Sequence, residues 1–315
     1  MLRNSAGYRM KMGLTAILTM MLLFVAACGA NGGEAPNTAQ PVAGSYPITT
    51  TDDTGTEITF EQAPEKVVTL VPSETEIMFA IGAGDQVVGV DEFSNYPEEA
   101  ASKAKVGDMN TNIEAIVALN PDMVLASSGM NADAITKLRG LNIKVIAIDP
   151  ATYDATVAKI ELIGKIMDKD KEAATVADHM RSVKQEVADT VKAATVKNVY
   201  LEFSPGWSVG SGTFLDELVT LAGGKNVAAA QSGWFEMNAE EVIAQNPDVI
   251  IYPALKEEPN PIASAIASRP GWNAINAVKN NQLLAVTEDP LVRVGPRLAD
   301  GLLELAKVIH PDLVK

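Results

Sequence analysis

Residues 112–124 read NIEAIVALNPDMV and residues 238–250 read NAEEVIAQNPDVI. Six of the thirteen positions are identical, and most of the others exchange one aliphatic residue for another. Both phrases parse alike. Asn112 or Asn238 supplies a helix N-cap, and aliphatic residues follow at helical spacing. Asn-Pro-Asp then stops the helix in a turn, and an aliphatic run continues as a buried strand. A second echo joins IGAGDQV (81–87) to LAGGKNV (221–227). A chain that repeats a helix–turn–strand phrase in each half is expected to build two similar lobes.

The text around the repeats alternates in the same way. Strands are expected at KVVTLV (66–71), QVVGVDE (86–92), DMVLAS (122–127), KVIAID (144–149), NVYLEF (198–203), DVIIYP (248–253) and QLLAVTE (282–288). Helices are expected at SETEIMFAIG (73–82, Ser73 as N-cap with Glu76 three residues on), NADAITKLRGLN (131–142), GTFLDELVTLAGG (212–224) and PRLADGLLELAKVIH (296–310). Such alternation implies mainly parallel sheets flanked by helices. Residues 154–192 break the pattern. They are helical throughout, with no glycine after Gly164 and an interruption at DKDK (168–171). The expected fold class is therefore α/β: two similar lobes joined by one long spine helix. The boundaries are 46–167 for the first lobe, 168–195 for the spine and 196–315 for the second lobe.

The first 27 residues read differently. Arg3, Arg9 and Lys11 precede a nearly unbroken apolar run from Leu14 to Ala27, with no acid before Glu34. The run is short for a membrane span and suits a signal peptide. Cys28, the only cysteine, follows Val25, Ala26 and Ala27. The pattern resembles a bacterial lipobox, whose cysteine is lipidated after cleavage; the plainer alternative is an ordinary signal peptide with an incidental cysteine. Residues 28–45 have the composition of a flexible tether, so lipid on Cys28 would hold a soluble domain at a membrane surface. The net charge of −15 argues against nucleic acid as a partner.

Residues 52–100, from DDTGTEITF through EKVVTLVPSETEIM to FSNYPEEA, resemble the opening of the ferric-siderophore and vitamin B12 class of ABC-transporter substrate-binding proteins. NIEAIVALNPDMVLAS and RVGPR (293–297) fit as well, and the resemblance covers about residues 46–310. FSNYP, GDMNTNIEAIVALNPD and LEFSPGWSVGSG bring it nearest the B12-binding branch. The resemblance implies a cleft between the lobes and a stiff helix limiting their motion. It also implies a metal chelate as ligand, with cobalamin preferred over ferric siderophore or haem. The partners would be an ABC permease dimer and its ATPase subunits. The protein would be an extracytoplasmic lipoprotein and a monomer, with no catalytic residues, resident cofactor or metal of its own.

Ligands of such folds lie at strand C-terminal ends. In the first half this selects Pro72, Ser73, Glu74, Phe93, Tyr96, Asp108, Met109 and Ser128, and in the second Ser204, Trp207, Trp234, Phe235 and Arg293. Aromatic walls suit large planar ligands; Trp207 and Trp234, each flanked by glycine and serine, are read as cleft residues and Trp272 as packing. Arg293 would meet anionic groups, and Arg297 would pack at the final helix. VGSGTF (209–214) lacks Walker spacing and reads as a tight turn. His179 and His310 are read as solvated, which argues against histidine-ligated haem or zinc; Met109 or Tyr96 could still ligate a haem iron. Glu114 and Glu240 hold matching places in the two repeats. First-turn carboxylates complement the helix dipole, and the resemblance gives them a second role, docking on permease arginines, with Glu241 as the alternative to Glu240. A membrane-anchored α/β enzyme is the other class. No dinucleotide fingerprint and no histidine after a strand support it.

Overall fold

The computed structural model describes residues 46–314, so the expected signal segment and the whole tether, Cys28 included, lie outside the described residues. Strands β1 (Ile48–Thr51) and β2 (Glu57–Phe60) form an antiparallel hairpin. Asp52, in its turn, accepts bonds from the amides of Thr54 (3.0 Å), Thr56 (3.2 Å) and Ala147 (3.0 Å) and pairs with Arg139. One buried carboxylate thus fastens the hairpin to the sheet beside it.

That sheet holds β3 (Val67–Thr69), β4 (Val87–Val90), β5 (Ala104–Lys105), β6 (Met123–Ala126) and β7 (Val145–Ala147) in the order β5-β4-β3-β6-β7, all parallel. Helices α1 (Pro72–Ala80), α2 (Ile113–Leu119) and α3 (Ala132–Gly140) connect its strands. Helix α1 starts two residues earlier than a Ser73 cap would place it. Val71 is the N-cap and Pro72 occupies the first turn, where its fixed φ and missing N–H cost nothing; Ser73 is inside the helix and caps nothing.

The second half repeats the arrangement. Strands β8 (Lys197–Leu201), β10 (Gly224–Asn226), β12 (Val249–Pro253) and β13 (Leu283–Val286) form a separate parallel sheet in the order β10-β8-β12-β13. Its helices are α6 (Phe214–Leu221), α7 (Ala239–Gln245), α8 (Pro261–Ser268), α9 (Asn276–Lys279), α10 (Asp289–Val292) and α11 (Leu298–Ile309). A two-stranded ribbon of β9 (Trp207–Val209) and β11 (Trp234–Glu236) stands apart.

The repeated residues do the same work in both halves. Asn112 caps α2 by accepting the Ala115 amide at 3.0 Å, and Asn238 caps α7 through the Glu240 amide at 2.9 Å. Asn120 and Asn246 end these helices in the left-handed conformation, at φ 48° and 45°, which asparagine tolerates better than most residues. Asp122 then accepts the Glu65 and Lys66 amides, both at 2.9 Å, and Asp248 the Asn198 amide at 2.9 Å. The turn after each helix is thereby tied to the start of its central strand.

The helical stretch between the sheets forms two helices, α4 (Tyr153–Ile166) and α5 (Asp170–Val191). They separate at the DKDK interruption, where Asp168 has φ 55°. The 22 residues of α5 span about 33 Å. Helix α4 folds back along it: the Tyr153 hydroxyl donates to the Met180 carbonyl at 2.8 Å. A Cβ on Gly164 would lie 2.2 Å from Ala173 Cβ, so only glycine allows this approach. The chain length would allow two separate cores, yet one apolar cluster runs from Ile48 and Met78 through Ile160, Met180 and Val187 to Leu218 and Leu302. Each side chain of that size contributes about 1.5–3 kcal/mol on burial, and the shared cluster makes the helical hairpin common to both lobes. Smaller clusters lie on the outer face of each sheet, around Val124 and Leu138 and around Tyr200 and Trp272. Among the described residues, no helix is long and apolar enough to cross a membrane.

Candidate functional site

The C-terminal ends of both sheets open on a cavity of about 640 Å³. The first turn of α1 contributes Ser73, and the loops after β4, β6 and β7 contribute Phe93, Met130 and Asp149. The second half contributes Phe214, Trp234 and the segment around α10, including Glu288, Asp289, Val292 and Arg293. The wall is mainly apolar, with carboxylates and one arginine at its rim.

The ribbon that carries the tryptophans is not foreseen by the sequence reading. Trp234 pairs with Val209 and Glu236 with Trp207. Side chains alternate along a strand, so both indoles leave the same side of the ribbon. They are 44 % (Trp207) and 48 % (Trp234) exposed, and only Trp234 borders the cavity. Phe203 meets Trp234 edge-on at 6.3 Å. The ribbon end is tight: a Cβ on Gly210 would lie 2.0 Å from the Gln231 carbonyl oxygen. Beneath it, fully buried Glu202 accepts the Gly206 amide at 2.8 Å and pairs with Arg269. The VGSGTF segment is a turn, as expected. Gly212 has φ 78° and the Thr213 hydroxyl caps α6 by accepting the Asp216 amide at 3.2 Å.

Two carboxylates on the cavity are held in opposite ways. Burial alone would raise the Asp149 carboxyl. The hydroxyls of Ser128 (2.7 Å) and Ser127, the Gly129 amide (2.6 Å) and nearby Lys159 outweigh it and hold the group below its ordinary value. Burial and the neighbouring Asp289 push Glu288 upward, against Arg293.

The arginine is not free. Arg293 Nη1 donates to Glu76 Oε1 and to Asn95 Oδ1, both at 2.9 Å, and Nη2 lies 3.0 Å from Asp289. Arg297 grips the same Glu76 through Nε (2.8 Å) and Nη2 (2.6 Å), and lies 3.7 Å from Asp289. Glu76 is on α1 in the first half of the chain, so the cluster bridges the halves. Its two cations and two anions balance.

The remaining expected site residues disperse. Tyr96 borders a different cavity of about 740 Å³, with the Arg297 guanidinium stacked 4.1 Å from its ring. Met109 borders a third cavity of about 320 Å³, which shares Met130 with the first. Pro72 lines the first cavity, whereas Glu74 is buried beneath it and paired with Lys159 at 2.6 Å. Glu74 therefore faces the interior, because α1 starts at Pro72 and turns its side chain inward. Trp272 packs inside, edge-on to Tyr200 at 5.7 Å. His179 is exposed on α5. His310 corrects the reading of a solvated residue: it is buried, with Nε2 3.1 Å from the Gly223 carbonyl oxygen. No group of three or more His, Cys, Asp or Glu among the described residues is arranged to hold a metal ion. Glu114 and Glu240 are exposed in the first turns of α2 and α7, and neither has an ion-pair partner among the described residues.

The sequence reading did not single out Met130, Asp149, Phe214 or Glu288. Met130 follows one predicted strand and Asp149 is the last residue of another, so the strand-end rule lay close to both. The only local signal at Glu76 is its place three residues after Ser73, a capping-box spacing that the structure does not use; its partners are more than 200 positions away.

Comparison with known proteins agrees with this architecture. Residues 67–290 match the family model described as periplasmic binding protein. The chain is 37 % identical over 313 residues to an uncharacterized ABC transporter substrate-binding lipoprotein of Bacillus subtilis, covering 96 % of this chain and 98 % of that one. It is 30 % identical over 316 residues to a cobalamin-binding protein of Halobacterium salinarum, covering 96 % and 86 %. Among solved structures it is similar to a possible iron-binding periplasmic solute-binding protein of Staphylococcus epidermidis, with TM-score 0.71, 28 % identity and coverage of 79 % and 100 %. The chain belongs to the periplasmic binding protein family, the substrate-binding components of ABC transporters, and is a binding protein rather than an enzyme.

Proposed function

We propose that the protein is a lipid-anchored, extracytoplasmic receptor that captures a cobalamin between its lobes and delivers it to an ABC importer. The observation that carries this reading is the charge state of the apolar cavity: its one arginine is already matched by Glu76 and Asp289. A corrin rim carries amides instead of carboxylates and needs no free cation. Aromatic faces at Phe93 and Trp234 would cover its planar surface, with Ser73 and the loop amides meeting the rim. Trp207 and Met109 border the approach, and Tyr96 orders Arg297. The similarity to a cobalamin-binding protein over nearly the whole chain supports the same cargo. Ferric siderophore or haem is the second reading, favoured by similarity to the possible iron-binding protein.

Capture would need little lobe motion, since α4 and α5 share one core with both sheets. The loaded protein would dock as a monomer on the permease dimer, which works with ATPase subunits. Glu114 and Glu240, or Glu241 beside it, would meet permease cations; such pairs govern orientation and encounter rate more than affinity. Cys28 would carry the lipid. Calorimetric titration of the mature chain with cyanocobalamin, haemin and ferric siderophores tests the reading. Saturable one-to-one binding strongest for cyanocobalamin is expected. Binding of haemin alone would replace the cargo.

A further inference from the structure

We infer that Glu76 is a specificity-determining residue: as an internal counter-anion for Arg293 and Arg297, it sets the charge class of chelate that the cleft accepts. This rests on the reading of the cavity as a chelate site. Arg293 reaches the cavity, and Arg297 reaches the neighbouring cavity beside Tyr96. Glu76 lies between them and bonds both. Its side chain is 2 % exposed, and those of the arginines are 11 % and 18 % exposed. Charges this sheltered act on one another with little screening by salt. Asp289, on the cavity rim, supplies the second negative charge. With both acids ionised, the cluster offers an incoming anion no net attraction.

The chemistry follows from that balance. An anionic chelate, such as haemin with its propionates or a ferric tris-catecholate, must compete with Glu76 for guanidinium groups that are already bonded. A chelate whose rim is amides meets no such competition. Replacing Glu76 by glutamine keeps the shape and part of the hydrogen bonding while leaving a net positive charge beside the cavity. The cavity, which Asp149 and Glu288 also line, would then oppose anions less.

The test compares Kd values of the mature chain for cyanocobalamin, haemin and a ferric tris-catecholate, with folding checked by circular dichroism. In Glu76→Gln, affinity for the two anionic chelates should rise about tenfold or more relative to cyanocobalamin, a modest share of the attraction between unit charges a few ångströms apart. Asp289→Asn removes the more exposed acid and should shift the ratio in the same direction by a smaller factor. It serves as the readout if Glu76→Gln does not fold. Adding Arg293→Gln to either variant should reverse the gain. A wild-type chain that binds a chelate while the folded variants keep its ratios overturns this inference alone. A wild-type chain that takes none of the three overturns the cleft assignment and the inference together.

Discussion

Truncating Trp234 to alanine is the perturbation whose effect follows most directly from the geometry. The indole is 48 % exposed at the cavity wall. Aromatic side chains bury about 150–250 Å² when covered, so roughly 100 Å² remains for a cargo to cover. At about 25 cal/mol per Å² that surface contributes about 2.5 kcal/mol. Contact retained by alanine and the cost of ordering the interface reduce this to about 1.5–2 kcal/mol. Cyanocobalamin should therefore bind roughly 10–30-fold more weakly to Trp234→Ala. Trp234→Phe should recover most of the loss, since a flat ring remains. The thermal midpoint should hardly move, because the side chain's main internal contact is the edge of Phe203. Calorimetry on the three proteins gives the comparison. A change below about twofold in a folded Trp234→Ala protein would mean that the cargo does not lie against this wall.

Gly164→Ala places a Cβ 2.2 Å from Ala173 Cβ. Overpacking there should cost about 1–3 kcal/mol, read in a thermal melt as a fall of about 3–10 °C, with cargo affinity of the folded protein unchanged. Asp52 is held below its ordinary value of 3.8, because its hydrogen bonds and Arg139 together outweigh burial, the largest single influence. Its stabilisation is therefore complete above about pH 4 and is lost as pH falls through the folded-state value. Asp52→Asn should be destabilised by about 3 kcal/mol at neutral pH, and denaturant curves should show the gap to wild type closing as pH falls below about 4. Reversing both carboxylates proposed to dock on the permease, Glu114→Lys with Glu240→Lys, should abolish uptake in cells while leaving cargo affinity within about twofold; parallel loss of both would contradict that proposal.

The repeated phrase was the most legible part of the fold. Its aspartates bond amides at least 50 positions away. Its identical asparagines act within a few positions, as caps and left-handed stops, so sequence spacing alone carries their roles. The helical break at 168–171 was readable for the same reason. The ribbon was not, because three-residue strands are too short for alternation to register and α6 and β10 lie between Trp207 and its partner Glu236. The start of α1 was misplaced because Ser73 is a good cap by type, while Pro72 is the better first residue by geometry. The site was half legible. The strand-end rule selects Ser73, Phe93, Trp234 and Arg293, which the fold gathers around one cavity. It also selects Tyr96 and Met109, which border other cavities, because the rule gives the end of the sheet and not the direction of a loop. The Glu76 cluster was invisible, since no local pattern distinguishes a helical glutamate that faces solvent from one that meets two arginines of the opposite lobe.

The most direct test is a crystal structure of the mature chain grown with cyanocobalamin. The corrin is expected between the loops after β3, β6 and β7 on one side and the Trp234 ribbon on the other, with Glu76 still holding both arginines. A corrin bound outside that cavity, or crystals that stay free of it at saturating concentration, would contradict the account.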